Sequence, residues 1–171
     1  VTARKTEESL QDVPVAVTSF STQDMAAFNI TRTEDIAAFT PGMYTQPPSA
    51  NNLSGLITNI RGQVQADTLT TLDPSVGWYV DDVYLARVTG TAGSLFDLER
   101  IEVLKGPQGT LYGRNTTGGA VKVVTTKADP SEETGGFVTG SAGDFGLQKY
   151  GGAVNVPIIK DVLALRVAAQ S

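Results

Sequence analysis

Neither cysteine nor histidine occurs in these 171 residues. Disulfides, thiolate nucleophiles, Cys/His zinc sites and any catalytic arrangement built on imidazole are thereby excluded. Acid–base chemistry would fall to carboxylates, lysine or tyrosine. Long apolar runs are missing too: each is a few residues, against the roughly 18 a membrane-spanning helix needs. No basic, apolar leader opens the chain, and Val1-Thr2-Ala3-Arg4 reads as a mature or trimmed terminus. Positive charge is scarce, with 13 Lys and Arg against 18 Asp and Glu and a net charge of −5. Nucleic acid is not an expected partner, because displacing counterions from phosphates takes a clustered basic surface.

What is present suffices for one domain with a real core, or one domain and part of another. Hydrophobic residues make up 40% and charged residues 18%, so neither disorder nor a coiled coil is indicated. Glycine is abundant at 18 residues, twelve of them from Gly106 onward. They follow no G-x-y period and form no Ser/Gly tract, so they punctuate local structure.

Residues 1–12 are polar and read as extended or mobile. The alternation over residues 13–20 predicts a strand. Ser21 followed by Asp24 predicts a helix start, and a second helix is expected from Thr33, with Glu34 and Asp35 in its first turn and Ile36, Ala37 and Phe39 on its apolar face. Pro41-Gly42 would end it. Residues 44–72 are rich in turn-forming polar residues apart from a short strand-like run at 56–61. Residues 76–87 read as two β-prone runs joined by Asp81-Asp82, a two-residue hairpin in which Asp-Gly would better suit the positive φ angles. A helical turn is expected at 95–98, then strands at 100–105 and 120–126. From Gly135 the chain alternates in runs of about 7 to 10 residues. Tyr150, Gly152, Val154 and Val156 share one face, as do Leu163, Leu165, Val167 and Ala169. Such alternation suits a tilted transmembrane β-strand and equally a half-buried strand of a soluble sheet. An open ribbon of two or three strands would leave edges unpaired, so the sheet is expected to continue in sequence beyond Ser171.

The Gly-rich run at 106–119 invites a phosphate loop and fails that test. No Gly-Lys-Ser or Gly-Lys-Thr occurs, and Gly106-Pro107-Gln108-Gly109 offers no lysine to a phosphate. Glycines that permit tight turns between two strands explain it better. Paired acids are the other chemical lure. Asp81-Asp82 lies in a turn, and Glu99 and Glu102, three apart in a strand, fall on opposite faces. Neither pair flanks a substrate bond as a glycosidase requires, and a turn or solvated edge is the preferred reading.

The order of motifs is more specific than any one of them. Val1-Thr2-Ala3, Asp12-Val13-Pro14-Val15, Pro41-Gly42, Ile60-Arg61-Gly62, Tyr79-Val80-Asp81-Asp82-Val83, Glu99-Arg100-Ile101-Glu102-Val103, Gly106-Pro107 with Leu111-Tyr112-Gly113, and Gly118-Gly119-Ala120-Val121 follow one another along the chain. This series resembles the plug domain of TonB-dependent outer-membrane receptors, over essentially all of residues 1–129. Three positions depart from the usual pattern: Asp82 for glycine, Lys105 for arginine and Lys122 for asparagine.

The resemblance implies an α+β plug domain, a small mixed β-sheet with short helices and Gly-rich loops, followed by the opening antiparallel strands of a transmembrane β-barrel. Residues 1–12 would be the TonB-box tail and a mobile segment, 13–129 the plug, and 130–171 the first strands of a truncated barrel. A barrel of about 22 strands leaves a lumen that needs plugging. The implied function is gating the active uptake of a scarce nutrient such as a ferric siderophore, with no catalysis, cofactor or resident metal. The implied partners are the C-terminal domain of TonB in the TonB-ExbB-ExbD complex, a small-molecule ligand such as a metal chelate, and outer-membrane lipid. Val1, Thr2 and Ala3 would close the TonB box. Arg61 and Lys105 would pair with acids inside the barrel, lysine with looser geometry than arginine. Loops 44–54, 63–72 and 87–93 would face ligand, with Gln46, Asn51, Asn52, Gln63, Gln65, Asp67 and Arg87 as candidates. Gly62, Gly106, Gly109, Gly113, Gly118 and Gly119 are the structural glycines.

Rival readings are a soluble β-rich ligand-binding module and a carboxylate-dependent hydrolase. Within the receptor class, the cargo could be a glycan or cobalamin.

Overall fold

The computed structural model describes residues 1–2, 5–6, 8–9, 11, 13–49, 54–65 and 72–171. Ala3, Asn51, Asn52 and Asp67, named above as candidates, lie outside the described residues. The chain forms two compact units, Val1–Thr125 and Thr126–Ser171.

The first unit is organised by a five-stranded mixed sheet. Strands β1 (Ala16–Ser21), β4 (Val76–Val80), β5 (Val83–Leu85), β6 (Leu98–Lys105) and β7 (Gly119–Thr125) lie in the order β1-β6-β7-β4-β5. All neighbours are antiparallel except β4 and β7. A separate hairpin pairs β2 (Met43–Gln46) with β3 (Ile57–Ile60). On one face of the sheet, Phe20, Ile101, Val103, Val121, Val123 and Trp78 form the main core. Met25 of α1 (Thr22–Ala27), Ile36 of α2 (Asp35–Ala38) and Met43 and Ile60 of the hairpin cover it. The opposite face carries a smaller cluster of Tyr79, Leu104, Tyr112, Ala120 and Val13.

Local chemistry explains several boundaries. Helix α1 begins at a capping box: the Ser21 side chain accepts from the Asp24 amide at 3.2 Å, and the Asp24 carboxylate accepts from the Ser21 amide at 2.9 Å. The Ser21 hydroxyl, which donates to the same carboxylate at 2.6 Å, and then the Ser21 amide hold the Asp24 carboxyl below its ordinary value. Between β4 and β5, Asp81 and Asp82 take φ angles of 47° and 67°, the two positive values a tight hairpin turn requires. Asp81 offsets this by accepting from the Thr125 amide at 2.9 Å and its hydroxyl at 2.6 Å.

Three expectations need correction. Residues 95–98 form no helical turn: Ser94 bridges to Arg32, Asp97 has φ 51°, and β6 already starts at Leu98. The polar segment after Pro41-Gly42 opens with strand β2, which gains its backbone partners from β3 instead of from any alternation of its own. The Gly-rich run holds a one-turn helix, α3 (Gly109–Tyr112), between its turns.

The second unit is an antiparallel meander of β8 (Gly135–Ala142), β9 (Gln148–Ile159) and β10 (Leu163–Gln170), in the order β10-β9-β8. A 3-10 turn at Asp144–Gly146 joins the first two strands. The registers align Val138, Tyr150, Val154, Val156, Leu165 and Val167 on one face. Thr139, Lys149, Asn155, Arg166 and Gln170 occupy the other. Of the apolar row, Val138 is 90% exposed, and Leu165 and Val167 about half. An apolar face this open and continuous is the pattern of a strand that meets lipid. Asn155 is buried because its side-chain amide exchanges two hydrogen bonds with the Asp129 backbone, at 3.0 and 2.9 Å.

Candidate functional site

Arg61 and Lys105 come to the same end of the five-stranded sheet. Arg61 follows β3 with φ 53°, between Ile60 and Gly62. Its aliphatic stem passes Gly42, and its Nη1 would stand 3.3 Å from a Cβ added to Gly106, the residue after Lys105. Lys105 donates from Nζ to the Thr18 hydroxyl at 3.0 Å. Neither cation meets an acid among the described residues. Two positive groups therefore stand at one end of the sheet, one on a strand end and one on a strained turn.

The Gly-rich run beside them is a packing device. Gly106 has φ 106°, and its amide donates to Gly118 O at 3.0 Å, closing the turn. Gly119 has φ 152°, and a Cβ there would run into the Leu104 carbonyl. A Cβ on Gly118 would stand 2.7 Å from that of Gln63. Gly62 and Gly113 also hold positive φ. Gly109 does not, and a Cβ there meets nothing within 4 Å, so its place at the head of α3 does not need glycine.

The loop candidates scatter. Arg87 donates from Nη1 to Asp73 Oδ1 at 3.3 Å, and Arg114 Nη2 reaches Asp73 Oδ2 at 3.2 Å. Gln46 is exposed and accepts from the Tyr44 hydroxyl at 3.4 Å. Gln63 closes a turn on Ile60 through its backbone, and Gln65 is half-buried near Trp78 and Arg87.

One group of residues escaped the sequence reading. Glu102, expected on a solvated edge, is fully buried at the centre of β6. It stands opposite Lys122 of β7, which is also buried. Glu102 Oε1 accepts from Arg100 Nε at 2.8 Å and from the Thr2 amide at 2.7 Å. Arg100 also pairs with Glu99, so one guanidinium bridges both carboxylates. Lys122 Nζ donates to the Thr2 hydroxyl at 2.8 Å and pairs with Asp82 Oδ1 at 2.9 Å. A buried charge persists only when paired and hydrogen-bonded, and each of these is. The Tyr112 hydroxyl lies 3.5 Å from Thr2 O. Burial first, then the charges of Glu102 and Asp82, push the Tyr112 phenol well above its ordinary value. The missed signal is the strict alternation of Arg100, Glu102 and Leu104, which puts all three on the face opposite the main core.

A small sheet with glycine-hinged turns, two cations at one end that meet no acid among the described residues, and a meander with an open apolar face fit a plug followed by opening barrel strands. Residues 9–120 match the TonB-dependent Receptor Plug Domain family, and the chain belongs to that family. It is 32% identical over 126 residues to the pesticin receptors of Yersinia enterocolitica and Yersinia pestis, which covers 74% of this chain and 18% of theirs. Against the ferric yersiniabactin uptake receptor of Yersinia pestis the TM-score is 0.79 at 26% identity, covering 91% of this chain and 24% of that one. The ferripyoverdine receptor of the outer membrane of Pseudomonas aeruginosa gives 0.79 at 20% identity, covering 99% and 21%. That likeness is one of fold. The chain thus spans less than a quarter of these relatives. Those relatives are named as receptors, one of them an uptake receptor, and the chain's place is the Gram-negative outer membrane.

Proposed function

We propose that this chain gates the active uptake of a scarce nutrient, a ferric siderophore in the first instance. Residues 13–129 would serve as the plug within the barrel lumen, and 130–171 as the first barrel strands. Residues 1–12 would carry the end of the TonB box, with Val1, Thr2 and Ala3 offered to the C-terminal domain of TonB in the TonB-ExbB-ExbD complex. One observation carries the reading: a folded sheet with Arg61 and Lys105, which meet no acid among the described residues, at one end precedes a meander whose apolar face is open. Charged anchors suit a plug that must hold a polar wall yet move, since a water-exposed ion pair contributes about 0–1 kcal/mol and is readily exchanged. The loops 44–54, 63–72 and 87–93 are the ligand-facing candidates, and the names of the relatives favour a ferric chelate over a glycan or cobalamin.

Arg61→Ala in the intact receptor tests the anchor. The expected result is a higher ion conductance across reconstituted bilayers and faster protease access to the plug. Unchanged conductance and proteolysis would remove the assigned role of Arg61.

A further inference from the structure

Three segments far apart in sequence meet around Asp73, just ahead of β4. Its Oδ1 accepts from Arg87 Nη1 at 3.3 Å, beyond the end of β5. Its Oδ2 lies 3.2 Å from Nη2 of Arg114, in the turn after α3. The meeting is braced from the neighbouring residues. Asn115 donates from Nδ2 to the Tyr84 hydroxyl at 2.9 Å, and the Gly118 amide donates to Ser75 O at 2.9 Å. The Thr116 hydroxyl closes the turn on Gly113 O at 2.7 Å. Arg114 is thus carried on a turn tied to both sides of the β4–β5 hairpin.

One carboxylate cannot neutralise two guanidiniums. A surplus positive charge therefore gathers here, on a chain whose net charge is −5. Stability does not explain the arrangement. The Arg114 side chain is 85% exposed and that of Arg87 48%, and ion pairs this open contribute little to folding. Both guanidiniums also keep donors to spare: Asp73 takes one contact from each, and Ala86 O accepts one further bond from Arg87 at 3.0 Å. An idle hydroxyl adjoins them. Ser75 Oγ is buried and has no hydrogen-bond partner among the described residues. Ser75 lines a narrow cleft together with Gln65, Pro74 and Arg87. A buried polar atom left unpaired is costly, and here it stands beside two cations with unused donors.

We infer that Arg87 and Arg114 form a two-armed oxyanion site, and that its ligand is a chelate bearing a free carboxylate. Asp73 shows the geometry: a carboxylate already bridges the arms, one oxygen to each. A ligand carboxylate is met by the same donors, with the Ser75 hydroxyl beside them. Asp73 has two effects, since it gathers the arms and competes for them. The inference deepens the function proposed above by giving the cargo a charge, and rests on the reading of 87–93 as a ligand-facing loop. Arg114 lies outside that loop and joins it through Asp73.

Phenylglyoxal modification of the purified full-length receptor, with no TonB present, reads the site arginine by arginine when mapped by mass spectrometry. Citrate is the probe, and chloride at matched ionic strength the control. Citrate should slow modification of Arg87 and Arg114 together and leave Arg32, which pairs with Glu34, unaffected. Arg87→Gln should raise the citrate concentration that half-protects Arg114 about tenfold, the effect of one hydrogen bond to a charged group. Asp73→Asn, which removes the competitor, should lower it. Absence of protection, or equal protection at Arg32, would overturn the proposal. So would an Arg114 that the reagent cannot reach, because the barrel wall would then cover it. Protection of Arg114 unchanged in the Arg87→Gln receptor would overturn the pairing of the arms. Inorganic phosphate protecting at far lower concentration than citrate would overturn the carboxylate assignment. None of these readouts needs TonB or transport, so a failure of uptake leaves them untouched.

Discussion

Glu102 and Lys122 face one another across the β6–β7 register, both buried, and the hydroxyl and amide of Thr2 bridge them. Cross-strand opposite charges are a common stabilising pair, but here the ion pairs run outward instead, from Glu102 to Arg100 and from Lys122 to Asp82. The alternating row Arg100–Glu102–Lys122–Asp82 crosses the sheet on the face away from the main core.

Removing Arg100 leaves Glu102 buried without an ion pair. Arg100→Ala is expected to destabilise the plug by about 3–5 kcal/mol, the usual cost of breaking a buried pair. The double variant Arg100→Leu with Glu102→Leu should lose much less. Exchange rates of the β6 and β7 amides in the intact receptor give both values, and additive losses would contradict the pairing.

The turn from β6 to β7 gives a contrast between two glycines. Gly119→Ala forces a Cβ against the Leu104 carbonyl at a φ of 152° and should cost about 2–4 kcal/mol or prevent folding. Gly109→Ala, at the head of α3 with open space around it, should be neutral or slightly stabilising, by roughly 0.5–1 kcal/mol. Yield and thermal melting of the two receptors would decide this, and equal effects would be the contrary result.

Tyr112 makes the plug sensitive to alkali. Burial and the nearby Glu102 and Asp82 charges keep its phenol neutral in the fold beyond the pH at which a free tyrosine ionises. Below about pH 10 both states carry the neutral phenol, and above it the unfolded chain ionises first, so stability falls as pH rises. Tyr112→Phe should flatten this alkaline loss when the β6 and β7 amides are followed from pH 8 upward. A slope equal to the parent's would count against the assignment.

What could be read from sequence was what neighbours in the chain decide. The Ser21–Asp24 cap, the Asp81-Asp82 turn and the alternation of β9 and β10 are local patterns, and the strands and α1 appear close to where those patterns place them. Strand β2 was not legible, because Met43–Gln46 has no alternation strong enough to show against its polar surroundings and depends on β3 for its bonds. The burial of Glu102 was hidden for the same reason on a longer scale. Its hydrogen-bond partner Thr2 and its cross-strand neighbour Lys122 are supplied by the fold, the latter through the register of β6 on β7. Arg61 and Lys105 were named from motif order, and the structure adds that both stand at one end of the sheet beside Gly106.

As proposed above, this chain would be the plug and opening strands of a TonB-driven importer. The most direct test expresses the full-length gene in iron-starved cells, with and without TonB, and follows radiolabelled ferric siderophore into the cell. Accumulation that needs both the receptor and TonB is the expected result. Equal accumulation in the strain lacking TonB would contradict the account.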